Sequence, residues 1–414
     1  MKILWLCNIM LPKISKMLSL PTVNTGGWLT GLSNDLLAAD NIELCVCFPQ
    51  NIKSEMFFGS VDGLKYYAFA QNGNNEASFK KIISDFKPDL IHIFGTEYKH
   101  SFDMVNVLNE LDLKDKAVIN IQGLVSVIAK HYCANLPGNI VHSYNLRGLI
   151  KRSNIYKDSK TFAKKGEYEK KAISSVNHII GRTDWDKACT LRINPNINYH
   201  FCGETLRDEF YKHKWDINSC KRHSIFISQC NYPVKGFHLV LGAMKEIVKY
   251  FPDAHIYTTG KNPLKLNLKE KIKQTTYSQY IASLIKKYNL ENHVTFLGNL
   301  NEQQMCEAYL NANVFVSASS IENSPNSLGE AMLLGVPCVC SDVGGVKNML
   351  THNTDGFVYP FDEEYMLAYY VMQIFKNDDL AKTFSENASN HANITHNKKN
   401  NLNTLIDIYN KIIN

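Results

Sequence analysis

The chain has 414 residues, 45% of them hydrophobic and 20% charged, with a formal net charge of +6. These are globular proportions, and the length exceeds one ordinary core, so two domains of roughly 200 residues each are expected. The sequence has no run of about 18 uncharged apolar residues to span a bilayer and no recognisable nucleic-acid module. Its eleven cysteines form no CxxC pair, which predicts reduced core thiols rather than a disulfide framework or a metal site.

In chain order, Met1 to Cys7 reads as a first buried strand rather than a leader peptide, because one lysine and a short apolar run end at Asn8. A cytoplasmic protein is the expectation. Asn24-Thr25-Gly26-Gly27-Trp28 then leads into a helix over 29–39. Adjacent glycines let a backbone approach a phosphate or a sugar closely, although a plain turn explains them equally well. Strand patterns beginning at Ile3, Leu44, Leu64, Leu90, Val118, His178 and Tyr199 alternate with helix-length segments, the sequence form of parallel strands joined by crossover helices. Ile91 to Glu97 ends one of these strands, which makes Glu97 a candidate ligand contact or base. His92 alternates with apolar neighbours and reads as a core histidine. Asn120-Ile121-Gln122-Gly123-Leu124 follows the next strand.

Between residues 147 and 171, basic residues crowd together, including Arg147, Lys151, Arg152 and Lys157, opposed by Asp158, Glu167 and Glu169. Interleaved with Leu149, Ile150, Ile155, Tyr156 and Phe162, they make either a helical surface that leans on anionic lipid or an ordinary solvated helix pair. Arg182 precedes Thr183-Asp184-Trp185-Asp186. That quartet is read as a helix capping box in preference to an Asp-x-Asp metal motif, since Thr183 and Asp186 have the required spacing. Arg182 itself is a candidate phosphate contact or half of a structural ion pair.

A polar stretch from Glu204 to Arg222 marks the domain junction. Strand patterns resume at Ser224, His255, Val294, Val314, Pro337 and Gly356. Gln229 and Lys235 follow the first of these, and Asn299 and Leu300 follow the third. The run Ser319-Ser320-Ile321-Glu322-Asn323-Ser324-Pro325-Asn326-Ser327-Leu328-Gly329-Glu330 then places two carboxylates eight positions apart around a turn that opens a helix. Free backbone donors at such a helix start, with the positive end of its dipole, suit a diphosphate. Carboxylates accept well from sugar hydroxyls. The last segment has Leu402, Leu405, Ile406, Ile408 and Ile412 at roughly helical spacing and needs a surface to cover.

The stretch from Ser319 to Pro337, with Val339-Cys340-Ser341-Asp342-Val343-Gly344-Gly345, resembles the Glu-x7-Glu signature of family 4 retaining glycosyltransferases of the GT-B fold. The resemblance implies an α/β protein of two Rossmann-like, doubly wound domains facing across a cleft. It places an acceptor-binding domain at 1–205, a donor-binding domain at 206–395 and a terminal helix at 396–414 that returns to the first domain. It also implies a nucleotide diphosphate sugar as donor and a glycan or polyprenol-linked glycan as acceptor. No cofactor, metal or nucleic acid is expected. The setting would be bacterial capsule, O-antigen or exopolysaccharide synthesis at the inner face of the cell membrane.

Carried over residue by residue, the resemblance gives Glu330 the ribose and Glu322 the transferred sugar. Asn326, Ser327 and Leu328 contact sugar and phosphate, Lys235 and Gln229 the diphosphate, and Asn299 and Leu300 the nucleobase. Gly26 and Gly27 form the glycine loop, and Gln122 and Glu97 meet the acceptor. Gln229 stands where relatives have Arg, Gln122 where many have His, and Asn348 where they often have Glu. These departures keep open a catalytically silent GT-B glycan-binding partner of an active transferase, and a nucleotide-sugar epimerase on the same fold.

Overall fold

The computed structural model describes residues 1–20, 26–39, 41–51, 56–71 and 73–414. The chain divides into two compact units, one of Met1–Ser126, Lys164–Arg207 and His396–Asn414, the other of Val127–Ala163 and Asp208–Thr395. The chain passes between the units four times, and one of these crossings falls inside the helix Ile155–Ser174.

The first unit holds eight strands: β1 (Lys2–Leu6), β2 (Glu43–Gln50), β3 (Phe57–Val61), β4 (Leu64–Ala70), β5 (Leu90–Phe94), β6 (Ala117–Asn120), β7 (His178–Gly181) and β8 (Asn198–Phe201). Their order is β3-β4-β2-β1-β5-β6-β7-β8. All neighbours are parallel except β3 and β4. The sequence reading missed β3. It forms a hairpin with β4 through Asp62 and Gly63, at φ +46° and +79°. An Asp-Gly pair favours this doubly left-handed turn.

The core of this unit is closed by the helix Lys398–Ile413, which buries Leu405, Ile408 and Tyr409. Trp5 on β1 is fully buried, lies edge-on to Phe94 at 4.8 Å, and donates its indole N–H to the Tyr409 hydroxyl at 3.1 Å. The same hydroxyl stands 2.6 Å from Nδ1 of His92. Burial lowers the His92 ring to about 3, so it is a neutral core side chain.

The second unit has six strands: β9 (Ser224–Ile227), β10 (His255–Thr258), β11 (Val294–Phe296), β12 (Val314–Ser317), β13 (Cys338–Asp342) and β14 (Phe357–Pro360). They are ordered β11-β10-β9-β12-β13-β14 and are parallel throughout. Residues 127–163, inside the expected 1–205 segment, fall in this unit. The Ser320 hydroxyl donates to the His131 carbonyl at 2.8 Å, and Nε2 of His238 meets the Ala134 carbonyl at 2.8 Å. Both contacts end on backbone oxygens and leave no side-chain pattern to read.

Replacing Tyr409 with Phe strips the Trp5 indole and the His92 ring of their shared partner. A loss of about 1–3 kcal/mol in unfolding free energy is expected, read from urea denaturation; an unchanged midpoint would dismiss the network as a stabilising element.

Candidate functional site

In an open parallel sheet, ligands bind beyond the carboxyl ends of the strands where the strand order reverses. In the second unit the chain runs outward from β9 to β10 and β11, then returns to place β12 on the other side of β9. Lys235 follows β9 and Glu322 follows β12. The ammonium of Lys235 stands 2.5 Å from Oε1 of Glu322, and the Ser319 hydroxyl donates to the same oxygen at 2.6 Å.

Two glycines make this pairing possible. Gly236 has φ +66°, and a Cβ there would lie 1.8 Å from the Ala318 carbonyl oxygen, so only glycine lets the loop after β9 lie against the end of β12. Gly344, at φ +52°, would put a Cβ 1.8 Å from the Glu322 carbonyl oxygen, which also accepts from the Gly345 N–H at 3.1 Å. The Ser320 N–H bonds the Val234 carbonyl at 2.8 Å. The Glu322 carbonyl is thus held by the glycine pair, and the chain two residues before it is held by Val234. Burial pulls the Lys235 ammonium toward neutrality, but Glu322 and Tyr232 outweigh it and hold the group above the ordinary lysine value.

The helix Asn326–Leu334 begins four residues after Glu322. Pro325 is its N-cap, one position before the helical residues, and Asn326, Ser327 and Leu328 form its first turn. The N–H groups of Asn326 and Ser327 belong to the set that an α-helix leaves without helical acceptors, whereas that of Leu328 donates to the Pro325 carbonyl at 2.9 Å. Glu330 is buried one turn further on. Gln229 is exposed, and its Oε1 accepts from the Tyr232 hydroxyl at 3.3 Å.

Asn299 and Leu300 lie in the loop after β11, just beyond Gly298, which exchanges backbone hydrogen bonds of 2.9 and 3.2 Å with Gly260. A cavity of about 260 Å³ opens at the ends of β9, β10 and β11, with Asn231, Lys261 and Phe296 on its wall. The structure therefore brings Lys235 and Glu322 into contact, with the helix start that carries Asn326, Ser327 and Leu328 beside them. Sequence reading gave Ser319 and Tyr232 no role, although Ser319 stands in the motif itself.

The first unit has its own reversal point, between β1 and β5. Asn8 after β1 donates to the Phe94 carbonyl at 3.0 Å and to Oε2 of Glu97 at 3.3 Å, and its oxygen meets Nε2 of His100 at 2.8 Å. Gly95, at φ +83°, is what admits the Glu97 carboxylate: a Cβ there would stand 2.1 Å from Oε2. The Gly123 N–H donates to Oε1 at 3.2 Å. Burial raises the Glu97 carboxyl to about 7 against the pull of these donors, with Glu169 adding to the rise.

Gln122 is turned to its neighbour, donating to Oδ1 of Asn120 at 2.6 Å. Arg182 is buried, ion-paired with Glu204, and donates to the Ile121 carbonyl at 3.0 Å. Its guanidinium is committed within this unit rather than standing as a solvent-facing cation. Thr183 and Asp186 form the expected capping box. Gly26, at φ +75°, is the N-cap of the helix Gly27–Ala38, whose first residue is Gly27. Asn24 and Thr25 of the glycine loop lie outside the described residues. Asn8, His100 and Glu169 were missed. Glu169, read in the sequence as an opposing surface charge, is buried and accepts from the Val125 and Ser126 N–H groups at 2.7 and 3.0 Å. Among the described residues no cluster of His, Cys, Asp or Glu has the geometry to hold a metal ion, and no helix is long and apolar enough to cross a membrane.

Residues 207–391 match the family model of glycosyl transferases group 1. The chain is similar to sucrose-phosphate synthase from Thermosynechococcus elongatus, with a TM-score of 0.70, 15% identity, and coverage of 99% of this chain and 98% of that one. It is also similar to Anabaena HepE solved in complex with UDP-glucose, with a TM-score of 0.66, 14% identity and 99% of each chain covered. Among curated proteins, N-acetyl-alpha-D-glucosaminyl L-malate synthase of Bacillus anthracis is 28% identical over 108 residues, 26% of this chain and 28% of that protein. The chain spans less than half the length of the curated relatives it matches. The solved structures show the fold: two α/β units with Rossmann-like parallel sheets, the GT-B architecture.

Because the Glu97 carboxyl holds its proton more tightly folded, at about 7, than at its ordinary 4.5, its contribution to stability is full below about pH 4.5 and falls away as pH rises to about 7. Glu97→Gln removes that decline. The variant should gain on the parent by about 1–2 kcal/mol across this window, a figure reduced for partial exposure. Parallel unfolding curves of the two proteins over the window would refute the assignment.

Proposed function

We propose that this chain is a retaining hexosyltransferase of the family 4 type, moving a sugar from a nucleotide diphosphate sugar to a glycan or lipid-linked glycan acceptor. The observation that carries the reading is the Lys235–Glu322 pair, set at the strand-order reversal of the second unit beside the helix start at Asn326. A cation, a carboxylate and free backbone donors in one place match the three parts of such a donor: diphosphate, sugar hydroxyls and bridging oxygens.

In this reading the donor diphosphate takes the ammonium of Lys235 from Glu322. The freed carboxylate then accepts from hydroxyls of the transferred sugar, and Glu330 from the ribose. As the glycosidic bond breaks, charge gathers on the leaving phosphate, where Lys235 and the N–H groups of Asn326 and Ser327 stabilise it, with Leu328 beside them in the same turn. The leaving oxygen takes the acceptor proton on the same face, so configuration is retained and no separate base is required. Gln122 orients the acceptor hydroxyl. Glu97, at the strand-order reversal of the first unit, is the group suited to hydrogen-bond the acceptor and takes no proton from it. Asn299 and Leu300 border the nucleobase. No step uses a metal, since Lys235 supplies the positive charge. A bacterial surface polysaccharide at the inner face of the cell membrane is the setting we assign.

Gln229 favours one second reading. It brings no charge to the diphosphate, and Arg182 is already paired with Glu204, so a silent glycan-binding partner of an active transferase would keep this fold without turnover.

Thermal-shift screening against UDP-, GDP- and dTDP-sugars identifies the donor, and nucleotide release on adding an acceptor separates transfer from silent binding. Lys235→Ala should lower turnover about 100-fold while changing donor affinity far less; wild-type turnover would remove this lysine from the mechanism. Glu330→Ala should weaken nucleotide binding by about 10- to 100-fold, the worth of hydrogen bonds to a charged acceptor. Calorimetry giving the parent affinity would strike Glu330 from the ribose site.

A further inference from the structure

Two short helices of the second unit turn their apolar residues to solvent. In the helix Leu146–Lys151, Leu146, Leu149 and Ile150 follow the spacing of a core-facing stripe, yet they are 54%, 62% and 68% exposed. The buried residue is Gly148. A Cβ there would stand 2.6 Å from the Ser153 carbonyl oxygen, so the helix lies down on its glycine and holds its aliphatic side outward.

Asn145, its N-cap, accepts from the Gly148 N–H at 2.8 Å and donates Nδ2 to the Gln274 carbonyl at 2.6 Å. Gln274 is the C-cap of the helix Leu268–Lys273, so the two helices are neighbours. The second repeats the pattern. Leu268 and Ile272, one turn apart, are 79% and 47% exposed, and no residue of this helix is buried.

The charges around these five aliphatic side chains are nearly all of one sign. Lys151, Arg152 and Lys157 are exposed at the first helix, and Lys269, Lys271 and Lys273 at the second. The two carboxylates nearby are occupied: Asp158 accepts from the Ser153 hydroxyl at 2.6 Å, and Glu270 is ion-paired with Lys261 at 2.5 Å.

We infer that the two helices form a docking surface for an anionic lipid bilayer. The aliphatic side chains enter the boundary between headgroups and acyl chains, and the cations meet lipid phosphates. Three features favour lipid over protein. Lysine is depleted from protein interfaces, whose anchors are aromatic side chains and arginine. Lysine stems, by contrast, lie along an apolar surface while their ammonium groups stay at the headgroups. A second copy of this chain would bring the same positive ring against itself. The surface does not depend on the transferase reading, because its five aliphatic side chains lie outside the donor site, although Lys273 also lines the cavity at the ends of β9, β10 and β11.

The test is co-sedimentation of the full chain with vesicles of phosphatidylcholine, alone or mixed with phosphatidylglycerol. Binding is expected to the mixed vesicles only and should weaken as salt rises. Leu149→Ser with Ile150→Ser should lower partitioning at least about tenfold, and each of Lys269→Gln and Lys271→Gln about fivefold. All these side chains are exposed, so melting temperatures should not move. Equal binding to neutral vesicles, or partitioning untouched by the substitutions, overturns the inference. So does self-association in sedimentation velocity that the Leu149 and Ile150 changes abolish, which would make this face a contact between copies.

Discussion

The second unit depends on a lysine and a glutamate held together where its sheet reverses order. A charge pair that is partly buried costs desolvation, and it is tolerated here because each partner has further support. Ser319 donates to the Glu322 carboxylate, and Gly344 and Gly345 grip the Glu322 backbone. Gly236 lets the Lys235 loop lie against the end of β12. In the proposed reading, a donor phosphate takes the place of the carboxylate at Lys235, and sugar hydroxyls take that of the ammonium at Glu322. Under that reading, side chains already held by each other lose little freedom when the donor replaces their contact.

The first unit solves the same topological problem with different chemistry. Its reversal point is filled by Asn8, His100 and Glu97, and Gly95 makes room for the carboxylate. Among the described residues no cation is ion-paired with Glu97. Burial therefore acts on it with amide donors alone in opposition, and the group sits near neutrality in its titration. The nearby guanidinium of Arg182 is spent on Glu204. Where the second unit keeps a charged pair, the first keeps a carboxyl able to gain or lose a proton.

The strands of both sheets were readable because buried parallel strands are short, continuous apolar runs; β9, β10, β11 and β12 begin at the residues where their patterns start. β3 escaped. Its residues alternate between half-buried and exposed, and its hairpin turn was passed over although Asp62-Gly63 announces it. The terminal helix was visible from its aliphatic spacing, but Tyr409, which ties it to Trp5 and His92, was not, because a tyrosine on an amphipathic stripe does not reveal its hydrogen-bond partners. Glu169 shows the opposite failure: among so many lysines it looked like a solvated charge, and the fold buries it at the start of another helix.

The sequence by itself determined the parallel strands of two α/β sheets, the loops that end them, and the carboxylates and lysine that those loops carry, because strand period, glycine placement and helix-start chemistry are local properties. Tertiary structure alone decided that Lys235 meets Glu322, that Arg182 is consumed by Glu204, that residues 127–163 fasten to the second unit, and that Leu149 and Ile150 face outward. Each of these depends on which backbone carbonyl or glycine lies across from a side chain far away in the chain, and no local pattern records that.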